Sequence, residues 1–136
     1  MGKMEKSEKY LSLGLFFLRA LMGMGIAYHG YDIIFGGHMS GLTQGVAKMG
    51  FPTPVFFAWA AALSEFLGGI FIAMGLYTRL AAFFVFITMS VAAFITHEND
   101  PFNVKELALA YWAVAGMFVL AGGGKFSLDA LFCRRR

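Results

Sequence analysis

Four apolar stretches, each close to the length that crosses a bilayer, occupy most of this chain: Leu11–Phe35, Val55–Leu76, Leu80–Thr96 and Leu107–Ala121. A helix needs about 20 apolar residues to span roughly 30 Å of hydrocarbon, where every backbone polar group must be satisfied internally. With 59% hydrophobic and 14% charged residues and a mean hydropathy of +0.68, too little polar surface remains to wrap a soluble 136-residue globule. The expected fold class is all-α: an integral membrane four-helix bundle, up-down-up-down, over residues 11–132. A short tail, 1–10, precedes it and a basic tail, 133–136, follows.

The first stretch follows a lysine-bearing segment, but it is long and lacks an Ala-x-Ala-like cleavage site, so it reads as a retained helix rather than a removed signal peptide. Lys3, Lys6, Lys9, Arg79, Lys125, Arg134, Arg135 and Arg136 flank one side of the four-pass layout, and only Lys48 and Lys105 flank the other. The positive-inside rule then places both termini in the cytoplasm. This asymmetry also accounts for the net charge of +3 as a topology signal with some attraction to anionic lipid, and no aromatic interleaving or recognition fold supports nucleic-acid binding. The single cysteine, Cys133, excludes an intramolecular disulfide, a CxxC redox pair or an iron–sulfur site built from this chain alone. Redox chemistry here must come from a cofactor or a partner.

The connections order the bundle. Gly36–Pro54 is glycine-rich and ends in Phe51-Pro52-Thr53-Pro54, which cannot be regular helix and leads into the second crossing. The Tyr77-Thr78-Arg79 turn is tight, so the second and third crossings must be antiparallel neighbours. After the fourth, Gly122-Gly123-Gly124 breaks the chain and Ser127 is placed to cap a brief interfacial segment, Leu128–Phe132. Gly23, Ile26, Ala27 and Gly30 share one face of the first crossing with Arg19. Gly68, Gly69, Ile72 and Gly75 share one face of the second with Glu65. Small residues allow close backbone approach where lipid gives no hydrophobic drive for association, so these faces are expected to pack together or against another helix.

Charges inside such stretches carry the functional signal, because each costs about 2.5–3.5 kcal/mol or more at the bilayer centre. Arg19 lies nine residues past Tyr10 and Glu65 eleven before Leu76, about 14 and 16 Å from the same boundary at 1.5 Å per residue. The depths predict a midplane Arg19–Glu65 ion pair, as a register lock or as the floor of a site. Towards the other end His29, Asp32, His97 and Glu106 could converge on a cavity walled by Tyr28, Tyr111 and Trp112. His29 and Glu65 are the candidate catalytic groups, and Arg19, Tyr28, His29, Glu65, His97, Glu106 and Trp112 the candidate ligand-binding set. No intrinsic cofactor is expected. Haem and metal centres are disfavoured, since the histidines are single and no Glu-x-x-His pair occurs. A quinone needs only His, Tyr or a carboxylate within reach of its carbonyls, which this set meets. Gly122–Lys125 is no phosphate loop, because the upstream glycine is missing and Phe126 stands at the Ser/Thr position.

The motifs Arg19…Gly23…Tyr28-His29-Gly30, Gly50-Phe51-Pro52, Ser64-Glu65-Phe66-Leu67-Gly68-Gly69, Gly75-Leu76-Tyr77-Thr78-Arg79 and Gly122–Lys125-Phe126-Ser127-Leu128-Asp129 occur in that order over nearly the whole chain. The set resembles the DoxX family of four-helix membrane proteins. That family is named for a subunit associated with thiosulfate:quinone oxidoreductase and terminal oxidase complexes. The resemblance implies a bacterial or archaeal plasma-membrane (inner-membrane) protein serving as subunit or quinone-site component of an oxidoreductase, beside a soluble or membrane redox enzyme. It carries over to Arg19, His29 and Glu65 alone. A small transporter or proton/solute permeation module, and a membrane scaffold for a redox enzyme, are the competing readings; a homo-oligomer is compatible with each.

Overall fold

The computed structural model describes residues 2–134, without the side chain of Arg134, so the basic tail of Arg134–Arg136 lies outside the described side chains. Six α-helices run in order: α1 (Lys3–Phe35), α2 (Met39–Lys48), α3 (Pro54–Met74), α4 (Thr78–Val91), α5 (Phe102–Ala121) and α6 (Leu128–Arg134), with a π-helical turn, Ala92–Thr96, extending α4. Four of them, with α4 counted through Thr96, are long and apolar enough to cross a membrane.

These helices are built inside-out relative to a soluble bundle. Their buried faces carry small and medium residues such as Ile26, Ala58, Ala62, Ile72, Ala82, Val85 and Ala115, while Phe17, Leu21, Met24, Phe56, Phe83 and Leu120 face outward. Lipid solvates large apolar side chains as well as a core does, so close backbone approach rather than side-chain burial selects what goes inside.

The tightest seam joins α1 to α3, and it is the glycine seam anticipated above. A methyl group at Gly23 would lie 2.6 Å from the Ala73 amide nitrogen and 2.8 Å from the Gly69 carbonyl oxygen. Gly30 is pressed as closely on the Ala62–Phe66 turn, and Gly69 on Ala27. No side chain fits at these three positions without parting the helices. α3 and α4 pack as antiparallel neighbours, α4 and α5 form the second large seam, and α1 meets α5 only sparsely.

Three features depart from the sequence reading. α1 begins at Lys3 rather than Leu11, because Met4 to Lys9 are compatible with helix and nothing breaks it. The Gly36–Pro54 connection holds a ten-residue helix, α2, which packs mainly on α3; its scattered glycines hid it. The third crossing ends in a π turn, with the His97 amide donating to the Ala92 carbonyl at 3.0 Å, an insertion with no period of its own to detect. The brief C-terminal segment is confirmed as α6, and the Ser127 hydroxyl accepts from the Ala130 amide at 3.2 Å.

Candidate functional site

The α1–α3 register decides which charges meet. Stepping from Gly23 to Gly30 along α1 moves the facing residues back from Gly69/Ala73 to Ala62/Phe66. The same register sets Glu65 opposite His29 and Arg19 opposite Gly75. His29 Nδ1 lies 2.6 Å from Glu65 Oε2, close enough for one proton to bridge them. Glu65 is near the middle of α3 with its side chain 7% exposed, whereas the His29 side chain is 54% exposed. The imidazole is therefore a half-open group over a buried carboxylate. Nε2 has no partner among the described residues.

The midplane Arg19–Glu65 pair does not form. Arg19 is 1% exposed and donates from Nε to the Ala73 carbonyl at 3.3 Å, from Nη1 to the Gly123 carbonyl, and from Nη2 to the Phe126 carbonyl at 3.0 Å. Arg19 and His29 are ten residues apart on α1, so Arg19 sits about 15 Å from the level of the dyad. Counting from Tyr10 as a boundary misplaced it, because α1 runs past that residue. Three backbone carbonyls offer the guanidinium better terms than one carboxylate: Ala73 in the last turn of α3, at the negative end of its dipole, and Gly123 and Phe126 in the loop between α5 and α6.

Around Arg19 the terminal motifs close into one clamp. Asp129 accepts from the amides of Tyr77 and Thr78 at 2.7 and 2.9 Å and from the Thr78 hydroxyl at 2.8 Å, while its own amide donates to the Gly75 carbonyl at 2.9 Å. It serves as the N-terminal cap of α4 from across the chain. Tyr77, which holds the capping position in a left-handed conformation, supplies no side-chain cap itself.

At the end opposite the termini the anticipated convergence is partial. Asp32 stands one turn beyond His29 and pairs with His38, whose Nδ1 is 3.0 Å from Asp32 Oδ2 and 3.3 Å from its carbonyl oxygen. Sequence reasoning missed His38; the Gly36-Gly37 turn, which brings the start of α2 back to Asp32 at the end of α1, was the available signal. The Tyr111 hydroxyl lies against Gly25 of α1.

The remaining candidates are elsewhere. His97 bonds Asp100 in its own loop at 2.7 Å. Trp112 donates from Nε1 to the Ser90 hydroxyl at 3.0 Å and stacks on Phe86, so it pins α5 to α4. Tyr28 is 71% exposed on the outer surface of α1. Glu106 is exposed, with no hydrogen bond or ion pair recorded among the described residues. No group of three or more His, Cys, Asp or Glu side chains able to hold a metal occurs among the described residues.

A family model for DoxX matches residues 14–98, from α1 through the π turn and spanning both halves of the dyad. The chain belongs to the DoxX family. An uncharacterized protein of Haemophilus influenzae is 31% identical over 97% of this chain and 100% of its own length. The inner membrane protein YphA of Escherichia coli is 34% identical over 65% of this chain and 70% of its own length. No solved structure matches. This DoxX-family chain is a multi-pass bacterial-type membrane protein by its relatives and its four crossing helices.

Proposed function

We propose that this protein is the quinone-site component of an inner-membrane oxidoreductase system, with His29 and Glu65 handling protons and a redox enzyme, soluble or membrane-bound, supplying electrons. The 2.6 Å His29–Glu65 contact carries the reading: a buried carboxylate near the middle of a crossing helix orients an imidazole whose other nitrogen is unengaged. The family name, with its association to thiosulfate:quinone oxidoreductase, supports it.

A quinone supplies two-electron carrier chemistry that takes up one proton at each carbonyl oxygen. In that setting the Glu65 carboxylate accepts from Nδ1–H and so holds the tautomer of His29, leaving the Nε2 lone pair to accept from a quinol hydroxyl. When Nε2 carries a proton it donates to a quinone carbonyl, and the adjacent carboxylate stabilises the imidazolium. The half-open side of the imidazole is reached from lipid. Asp32 and His38 form a second pair of exchangeable groups one turn nearer the exposed end of α1. Both termini face the cytoplasm on this reading, following the basic residues.

A second reading, a proton or solute permeation module, is favoured by two separate pairs one turn apart on α1, Glu65–His29 at mid-helix and Asp32–His38 at the exposed end. One experiment separates the two. Protein purified in mild detergent is extracted and assayed for quinone, alongside proton flux in liposomes. Quinone present in wild type and lost in His29→Ala and Glu65→Gln is the expected result. Flux without quinone identifies a permeation module, and neither, with an enzyme that co-purifies, identifies a scaffold.

A further inference from the structure

We propose that the terminal end of the bundle holds the headgroup of an anionic phospholipid, with Arg79 as its anchor. The site lies at the opposite end from His29 and stands independently of the quinone reading. A groove of about 1080 Å³ opens between the start of α4, the glycine run after α5, and α6, with Arg79, Gly122, Gly123, Asp129 and Phe132 among its walls.

Among the described residues Arg79 is the one side-chain cation on the groove wall, and the single carboxylate there is engaged elsewhere. Arg79 is exposed in the first turn of α4 and makes no hydrogen bond or ion pair among the described residues. Its guanidinium lies over Gly122, with Nε 3.2 Å from where a Cβ at that residue would stand. A cation in the first turn adds to the positive end of the helix dipole instead of offsetting it. The carboxylate on the groove, Asp129, already accepts from the Tyr77 amide, the Thr78 amide and the Thr78 hydroxyl. Lys125 is engaged by Glu8 at 2.7 Å.

The backbone adds a second, independent demand for an acceptor. Gly123 is buried, and its carbonyl serves Arg19, yet its amide donates to no group among the described residues. The Gly124 amide is likewise unpartnered there. Buried amides are almost always paired in folded chains, so unpaired donors on a cavity wall beside a guanidinium want an anion.

The apolar half of the groove selects the source of that anion. Leu80 and Phe132, which are 57% and 55% exposed, and Ala121 also line the groove. A free phosphate has no use for such a wall, whereas a phosphodiester carrying acyl chains covers it while its oxygens meet the fork of Arg79.

Native mass spectrometry of the purified protein, titrated with phosphatidylglycerol or phosphatidylcholine in neutral detergent, tests the assignment. Wild type should retain phosphatidylglycerol with about tenfold preference, and Arg79→Gln should lose that preference, while Lys105→Gln at the far end should keep it. Should Arg79→Gln fail to fold, wild type still decides the matter. Its preference must fall between about 0.1 M and about 1 M salt, since the contact is ionic and near the surface. Equal retention of both lipids, an unchanged preference in Arg79→Gln, a salt-insensitive preference, or displacement of the lipid by equimolar inorganic phosphate would each overturn the proposal.

Discussion

His29 on α1 and Glu65 on α3 face each other at 2.6 Å, and they do so because three glycines bring the two helix backbones together on either side of them. The dyad is thus a product of the seam. Anything that parts the helices also parts the two groups, which ties proton chemistry at mid-helix to packing along the whole of α1.

The coupling of the dyad should be measurable as stability. Replacing Glu65 with Gln and His29 with Ala, singly and together, should reveal an interaction energy of about 1–3 kcal/mol in a double-mutant cycle. Unfolding in mixed micelles gives the four values, and additive losses would show that the contact carries no energy.

Arg19 and Glu65 should behave in the contrary way. Arg19→Gln leaves the Ala73, Gly123 and Phe126 carbonyls short of donors and should cost about 2–4 kcal/mol. Combined with Glu65→Gln it should be additive within about 0.5 kcal/mol, as expected of sites far apart with no shared partner. A large coupling in the same unfolding assay would restore the midplane ion pair.

The seam predicts a sharp contrast among glycines. Gly23→Leu and Gly69→Leu should abolish monodisperse, folded protein on size-exclusion chromatography, whereas Gly41→Ala, with open space around it, should change the melting temperature little. If all three tolerate substitution alike, α1 and α3 do not approach as described.

Removing the remote cap should unfasten the terminal end first. Asp129→Ala deprives the Tyr77 and Thr78 amides of their acceptor and should destabilise by about 1–2 kcal/mol, with faster hydrogen exchange at the start of α4 than at the α1–α3 seam. Uniform loss of protection would place Asp129 in a global role instead.

Cysteine labelling checks the orientation. Cys133 is exposed, so a membrane-impermeant maleimide should leave it unmodified in intact cells and label it after permeabilisation, if the basic end is cytoplasmic. Labelling of intact cells would invert the topology.

Hydropathy alone was enough to find four crossings, since length in a membrane follows from backbone satisfaction. Glycine spacing likewise marked the two packing faces, because only glycine admits a neighbouring backbone at that distance, but it left open whether they meet each other or another helix. Pairing across the seam was another matter. A depth counted from an assumed boundary carries an error of several residues, and Arg19 and Glu65 ended about 15 Å apart in level for that reason. Which nitrogen faces Glu65, why Asp129 caps a helix 51 residues away, and how Trp112 turns to Ser90 rather than to His29 all depend on the rotation and offset of helices. Periodicity leaves those two quantities free, and only the packed backbones of the tertiary structure set them.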